Sequence, residues 1–247
     1  TVAIVGSACN YGYGTVDPIP ALSDLALDRG VGLHVDGCLG GFILPFAAEL
    51  GYEIPRFDFG IPGVTTISAD THKYGYGFKG TSVLAFRDKA LRNSQYFFMT
   101  DWSGGKYASP GIDGSRSGGL LAATWAAMVS LGREGYLRYA REIFTTAAGM
   151  MDAVRSHPEL RIIGTAPTFL FSFTSDEFDI YHVNDFMRTR SWRFNGQQYP
   201  NAIHMAVTRP QTRAGRRTST TTSWSRTTAW PSCRACVARP STRWWPS

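Results

Sequence analysis

Residues 68–80 read SADTHKYGYGFKG: a small polar strand end, a His-Lys pair, then a run of Gly and Tyr too flexible for a helix. Taken alone, a lysine in such a loop is an ordinary solvated side chain. Its meaning depends on what else in the chain ends beside it. The β-branched run GVTTI (63–67) leads into it, so Ser68 and Ala69 close a buried strand. Two further segments have the same form. TVAIVGSA (1–8) is β-branched and ends in small residues, and VGLHVDG (31–37) ends in Asp-Gly.

Between those two lies DPIPALSDLALDRG (17–30), with Asp17 and Pro18 at its start, apolar Ile19, Leu22, Leu25 and Leu27, and Gly30 at its end. The pattern predicts a capped amphipathic helix. Strand, helix, strand with short joints describes a right-handed crossover in a mostly parallel sheet, so the large domain is expected to be α/β. TSVLAFRD (81–88) adds a fourth strand. Residues 118–157 show helical periodicity, broken near Gly132 to Gly135. LRIIGT, FLFSFTS, IYHVNDFMRTRS and AIHMAVT then give a β-β-α-β pattern, a small α+β domain that lacks its last helices. The expected division is 1–130 for the large domain, 131–208 for the incomplete small domain and 209–247 for a separate tail. A strand with nothing before it reads as part of a longer chain.

The chain has 247 residues, 43% of them hydrophobic, and a formal charge of +6. Such a charge suggests an anionic partner, but its location removes the suggestion. Residues 209–247 hold eight Arg and no Lys, Asp or Glu, leaving 17 basic against 19 acidic residues in 1–208. The tail is rich in Ser, Thr, Arg, Trp and Pro and has almost no aliphatic periodicity. A nucleic-acid arm, a disordered linker and a shifted reading frame all fit its composition; the abrupt break after a well-patterned segment favours the shifted frame. Nucleic acid is therefore not expected as a partner. Cys9, Cys38, Cys233 and Cys236 form no disulfide framework at this length, and no signal-peptide pattern opens the chain, so a cytoplasmic setting is expected. CRAC (233–236) has no second pair to complete a zinc site, and no metal is expected. No apolar run approaches the roughly 18–20 residues of a membrane span.

Ligands of parallel α/β sheets collect at the carboxyl ends of strands. GSACNYGYG (6–14), HVDGCLGGF (34–42) and SADTHKYG (68–75) all fall there and are expected to converge. Asp36 at one strand end and Lys73 beyond another are the pair that pyridoxal phosphate needs. The carboxylate keeps the pyridine nitrogen protonated, and the amine takes the aldehyde. Period-two alternation puts His34 on the face of Asp36, as a packed supporting residue or as a contact.

With those residues in view, the chain resembles the pyridoxal-phosphate-dependent group II decarboxylase family of the aspartate-aminotransferase fold (fold type I), most closely its sphingosine-1-phosphate lyase branch, over about residues 3–208. HVDGCLGGF looks like that branch's strand, SADTHKYGYGFKGTS like its lysine loop, and TDWSGGKYASPGIDGSRSGG (100–119) like a segment that separates the lyases from the amino-acid decarboxylases. The resemblance implies that Lys73 carries the cofactor and Asp36 pairs with its ring nitrogen. It further implies that His72 contacts the phosphate, Ala8 packs near the ring and His34 supports the site. Lys79 is implied to help bind phosphate, and Tyr107 to lie near the substrate and move a proton. Ser115 and Arg116 are implied to belong to a loop that closes the site or reaches a neighbouring subunit. Cys38 fits the lyase pattern and is expected to pack rather than react.

The implied reaction cleaves the bond between the amine-bearing and hydroxyl-bearing carbons of a phosphorylated long-chain amino alcohol, giving a long-chain aldehyde and phosphoethanolamine. Lys73 and Tyr107 are its proton-transfer candidates. The rivals are an amino-acid decarboxylase acting on glutamate or tyrosine, a nucleic-acid binder using the tail, and a nonfunctional product. Family members are dimers and carry an upstream part of the large domain with a phosphate-cup loop, which nothing before Thr1 supplies. The chain is expected to be a truncated copy of a homodimeric enzyme.

Overall fold

The computed structural model describes residues 1–165 and 168–212. Residues 213–247, which include the CRAC pair and most of the expected tail, lie outside the described residues. The elements run β1 (Ala3–Ser7), α1 (Ile19–Arg29), β2 (Gly32–Asp36), α2 (Leu44–Glu49), β3 (Val64–Ala69), β4 (Val83–Phe86), α3 (Lys89–Asn93), β5 (Phe97–Met99), β6 (Tyr107–Ser109) and α4 (Gly118–Arg155). There follow β7 (Arg161–Ile163), β8 (Leu170–Thr174), α5 (Tyr181–Thr189), β9 (Asn195–Gln197) and β10 (Ala202–Ala206). They form two compact units, one of residues 1–11 and 15–141, the other of residues 12–14 and 142 onward.

In the first unit the sheet order is β1-β2-β3-β4. The first three strands are parallel and β4 is antiparallel to β3. The register sets Ser7 opposite Asp36 and Asp36 opposite Ser68, so three strands end at one level. Leu33, Val35 and Val64 are fully buried, together with Ile19 and Ala26 of α1 and Leu44 and Ala47 of α2. Each such aliphatic side chain contributes about 1.5–3 kcal/mol of transfer free energy, which clamps the strands on which the loops are mounted.

The predicted helix forms and stops at Gly30, but its details differ. Asp17 does not cap α1: its carboxylate accepts the Ser7 N–H at 2.7 Å and so braces the turn out of β1. Leu25 and Leu27 are exposed, and the inward face is Ile19, Ser23 and Ala26. Helix α3 is capped by the Asp88 carboxylate, which accepts from Leu91 N at 2.7 Å. The antiparallel pair β5–β6 forms a separate two-stranded sheet. Neither α3 nor this pair is marked by periodicity, because both are too short to show one.

The backbone of α4 leaves helical geometry at Gly132 (φ 57°, ψ 178°), where the sequence indicates a break. The division between units comes later, after Arg141, rather than near residue 130. The kink interrupts the helix without ending its packing within the first unit: Tyr136 beyond it is buried and donates to Gly75 O at 2.8 Å.

The second unit is an antiparallel sheet of order β7-β8-β10-β9. Strand β8 is buried throughout; Phe169, Phe171, Ile203 and Met205 are buried, as are Ile143 and Ala147 of α4, whose Phe144 ring meets that of Phe169. The segment Gly12–Gly14 belongs here. Gly12 O accepts from Ser172 Oγ at 2.5 Å and Gln197 Nε2 at 2.8 Å, and Gly14 O accepts from Thr168 N at 3.0 Å. The ordered fold continues past Thr208: Arg209 pairs with Glu142, and Thr212 is buried.

Gly40 shows how tightly the site's floor is built. A Cβ there would collide with Ala8 O and with Leu44 Cδ1. Gly40→Ala is expected to lower unfolding free energy by about 2 kcal/mol, the usual scale of overpacking, read from urea denaturation midpoints. An unchanged midpoint would show that the floor can relax.

Candidate active site

The parallel ladder does not stop at the last strand residues. Ala8 N donates to Asp36 O at 2.9 Å, Gly37 N to Ser68 O at 2.9 Å and Asp70 N to Cys38 O at 3.3 Å. The first residues of the three expected loops are thereby joined, and Asp36, Cys38, Asp70 and Lys73 are brought together. Ala8 is completely buried at this junction.

Asp36 Oδ1 accepts from Cys38 N at 2.9 Å and from Ser68 Oγ at 3.3 Å. Behind it, the His34 ring lies between two hydroxyls of β3, with Nδ1 2.8 Å from Thr66 Oγ1 and Nε2 3.2 Å from Ser68 Oγ. Because Ser68 gives its proton to Asp36, it accepts from Nε2–H, and Nδ1 accepts from Thr66. A neutral ring satisfies every partner. Burial lowers the His34 pKa below the ordinary histidine value, opposed by the Asp36 charge.

Lys73 Nζ lies 3.0 Å from Asp70 Oδ2, and His72 Nε2 is 3.7 Å from the same oxygen. Ser82 Oγ donates to Asp70 Oδ1 at 2.7 Å. The lysine side chain is about one-third exposed, at 32%. Its burial favours loss of the proton, but hydrogen bonds with Cys38 and Asp70 prevail and raise its pKa above the ordinary lysine value. Burial also pushes the Asp70 carboxyl up, yet hydrogen bonds from Ser82 and Lys73 and the charges of Lys73 and His72 hold it below the ordinary range. Burial raises the Cys38 thiol pKa above the ordinary cysteine value, opposed by Lys73 and assisted by Asp36.

The Gly/Tyr run after Lys73 has a structural reason. Gly75 packs where a Cβ would stand 2.6 Å from Thr71 O, while Gly77 N donates to that same oxygen at 2.8 Å. Thr71 Oγ1 donates to Thr81 O at 2.7 Å, and His72 Nδ1 is 3.2 Å from Thr81 O. The loop is fastened at both ends, with Lys73 at its start.

The family model of the pyridoxal-dependent decarboxylase conserved domain matches residues 1–174. The chain belongs to this pyridoxal-dependent family. Sphingosine-1-phosphate lyase of Dictyostelium discoideum is 48% identical over 208 residues, covering 84% of this chain and 39% of that protein. The Arabidopsis thaliana sphingosine-1-phosphate lyase is 49% identical over 208 residues, covering 84% and 38%. A solved sphingosine-1-phosphate lyase from Burkholderia pseudomallei superposes with a TM-score of 0.84 at 68% identity, covering 87% of this chain and 49% of that one. The chain thus spans about two-fifths of the length of the curated relatives. A glutamate decarboxylase of Lactobacillus brevis shares the fold, with a TM-score of 0.68 at 21% identity.

The family's cofactor is pyridoxal 5'-phosphate, and the donor set fits it. That set contains a part-exposed amine at Lys73, a carboxylate at the end of β2 and a histidine next to the lysine in the chain. Of the other expected residues, Lys79 and Ser115 are exposed, and Arg116 pairs with Asp113. Tyr107 on β6 is 46% exposed, near the rings of Trp102 and Phe97. Among the described residues, no hydrogen bond or ion pair ties these four to Lys73 or Asp36. The sequence reading missed Asp70, Ser68, Ser82 and Thr66. A carboxylate three residues before a lysine was a usable signal for Asp70; the hydroxyls carry none.

The neutral His34 ring predicts a pH effect. The folded state binds this proton more weakly than the unfolded chain, so stability present above pH about 6.5 is lost as pH falls through the lowered folded value. His34→Gln is expected to show a flatter fall in urea midpoint between about pH 7.5 and pH 5. A slope equal to wild type would assign the titration elsewhere.

Proposed function

We propose that this chain carries the cofactor-binding core of a pyridoxal-phosphate-dependent carbon–carbon lyase. Its substrate is a phosphorylated long-chain amino alcohol of the sphingosine-1-phosphate type, cleaved to a long-chain aldehyde and phosphoethanolamine. The observation that carries the reading is the joining of the Asp36 and Lys73 loops, by Cys38 N to Asp36 Oδ1, Asp70 N to Cys38 O and Lys73 to Asp70, in a chain 48% identical to a sphingosine-1-phosphate lyase. The likeness to glutamate decarboxylase, at 21% identity, speaks for fold alone, which favours the lyase over a decarboxylase.

The cofactor supplies an aldehyde to take up an amine and a ring that accepts the electrons of the broken bond. The chain's residues prepare for that chemistry. Lys73 offers the amine, and Asp36, fixed by Cys38 N and Ser68, offers a carboxylate for the ring nitrogen. His34 holds Ser68 in place. His72, Lys79, Ser115 and Arg116 are the candidates for phosphate groups, and Tyr107 is the candidate to move the hydroxyl proton.

A second copy of the chain is part of the reading. In the first unit Phe97, Phe98, Trp102, Ile112, Leu121 and Trp125 are all exposed, more large apolar surface than a monomer normally leaves to water. A homodimer would cover it and bring Tyr107 and Arg116 into a shared site. Neither Cys9 nor Cys38 is in a disulfide, which suits the cytoplasm. No helix among the described residues is long and apolar enough to cross a membrane.

Titration of the purified chain with pyridoxal phosphate is expected to give a visible absorbance band, lost in Lys73→Ala, with borohydride fixing the label on Lys73. A band of equal strength in the variant would sink the assignment. In the loaded protein, Tyr107→Phe is expected to leave the band intact and reduce kcat for aldehyde release about 100-fold, as loss of a general acid or base does. Undiminished turnover would remove Tyr107 from the reaction.

A further inference from the structure

Lys73 is an unusual case among the described lysines, because two side chains from different strand ends converge on its amine. One is the Cys38 thiol, from the loop after β2; the other is the Asp70 carboxylate, three residues before it in its own loop. Lys73 and Asp36 act on the Cys38 thiol in opposite directions, and Cys38 N donates to Asp36 Oδ1 at 2.9 Å. Burial keeps that thiol protonated, so it offers an acceptor rather than a charge. The negative charge in direct contact with the lysine is Asp70.

We propose that Asp70 is a positioning residue for Lys73, holding it as an ammonium ion in the cofactor-free site, so that capture of an aldehyde begins by breaking the Asp70–Lys73 pair. The inference rests on the reading of Lys73 as the cofactor lysine and adds to it a residue which that reading does not contain. An ammonium nitrogen has no lone pair and cannot attack a carbonyl carbon. Its proton must first pass to Asp70 or to solvent; only then does the Lys73 amine hold the lone pair that an aldehyde would take up. Anything that stabilises the ammonium slows the first step.

Asp70 is built for that task. Its Oδ1 is occupied by Ser82 Oγ at 2.7 Å, which turns Oδ2 towards the lysine at 3.0 Å. Its backbone is fixed by Asp70 N to Cys38 O at 3.3 Å, and Lys73 N donates back to Asp70 O at 3.2 Å. The carboxylate is only 19% exposed, so solvent screens the pair less than it would on an open surface. His72 Nε2, 3.7 Å from the same Oδ2, is the second group able to use this oxygen once the lysine has left it. The groups facing Lys73 are therefore Asp70, Cys38 and, through Asp70, His72.

The test reads the lysine without the cofactor. The full chain is pulsed with acetic anhydride across pH 6–11, and acetylation of Lys73 is followed by peptide mass spectrometry. Asp70→Asn keeps the shape and removes the charge, so its labelling profile is expected to move to lower pH, with Lys73 labelled roughly threefold or more faster at pH 8. Ser82→Ala frees Oδ1 without removing the charge and is expected to give a smaller shift in the same direction. It also carries the test if Asp70→Asn fails to fold by tryptophan fluorescence. A role in folding alone would leave both profiles on that of wild type, and that result overturns the proposal.

Borohydride trapping of the wild-type chain with pyridoxal phosphate separates the two levels. A label on Lys73 with unshifted profiles removes Asp70 alone. A label on another lysine removes the cofactor reading and the Asp70 role with it.

Discussion

Three backbone hydrogen bonds beyond the strand ends organise the rest: Ala8 to Asp36, Gly37 to Ser68, and Asp70 to Cys38. A parallel sheet fixes where its strands stop, but loops ordinarily diverge from that edge. Here the ladder is carried one or two residues further, so that the loops leave the sheet already joined. Each bond contributes only about 1 kcal/mol net. Their value lies in geometry, because a carboxylate and an amine from different strands are held together before any ligand arrives. The collision awaiting a side chain at Gly40, against Ala8 O, shows that the first loop has no room to drift.

The electrostatics follow from that geometry. The two carboxylates near the lysine have different company. Asp36 receives neutral donors, a backbone N–H and a hydroxyl. Asp70 meets the lysine directly and shares an oxygen with the neighbouring histidine. One carboxylate thus meets only neutral donors, and the other is ion-paired within the protein. Neutral His34, pinned by two hydroxyls, adds no competing charge beside Asp36.

The strands of the first sheet and its mostly parallel character were legible in the sequence because each rests on a local pattern. β-branched runs end in small residues, and the chemistry-bearing side chains stand where those runs stop. The inward face of α1 was not legible: leucines at 25 and 27 suggest burial, whereas the tighter approach to the sheet is made by Ser23 and Ala26. The Asp17 carboxylate, expected as a cap, is diverted to Ser7 by a tertiary contact that no local rule anticipates. Short α3 and the β5–β6 pair fall below the length at which periodicity speaks. Ser68, Thr66 and Ser82 were invisible for a different reason. A hydroxyl becomes a site residue only through the neighbour it meets, and those neighbours come from other strands or from the far side of a loop.

The segment Gly12–Gly14 gives the molecule an unusual chain path. Leaving Ala8 and the sheet edge, the backbone enters the second unit for three residues, returns, and crosses again only after Arg141. The two units are therefore laced together rather than strung in series. A single cleavage in α4 would not release either one intact, since the second unit would leave behind the glycine segment whose carbonyls Ser172, Gln197 and Thr168 clasp.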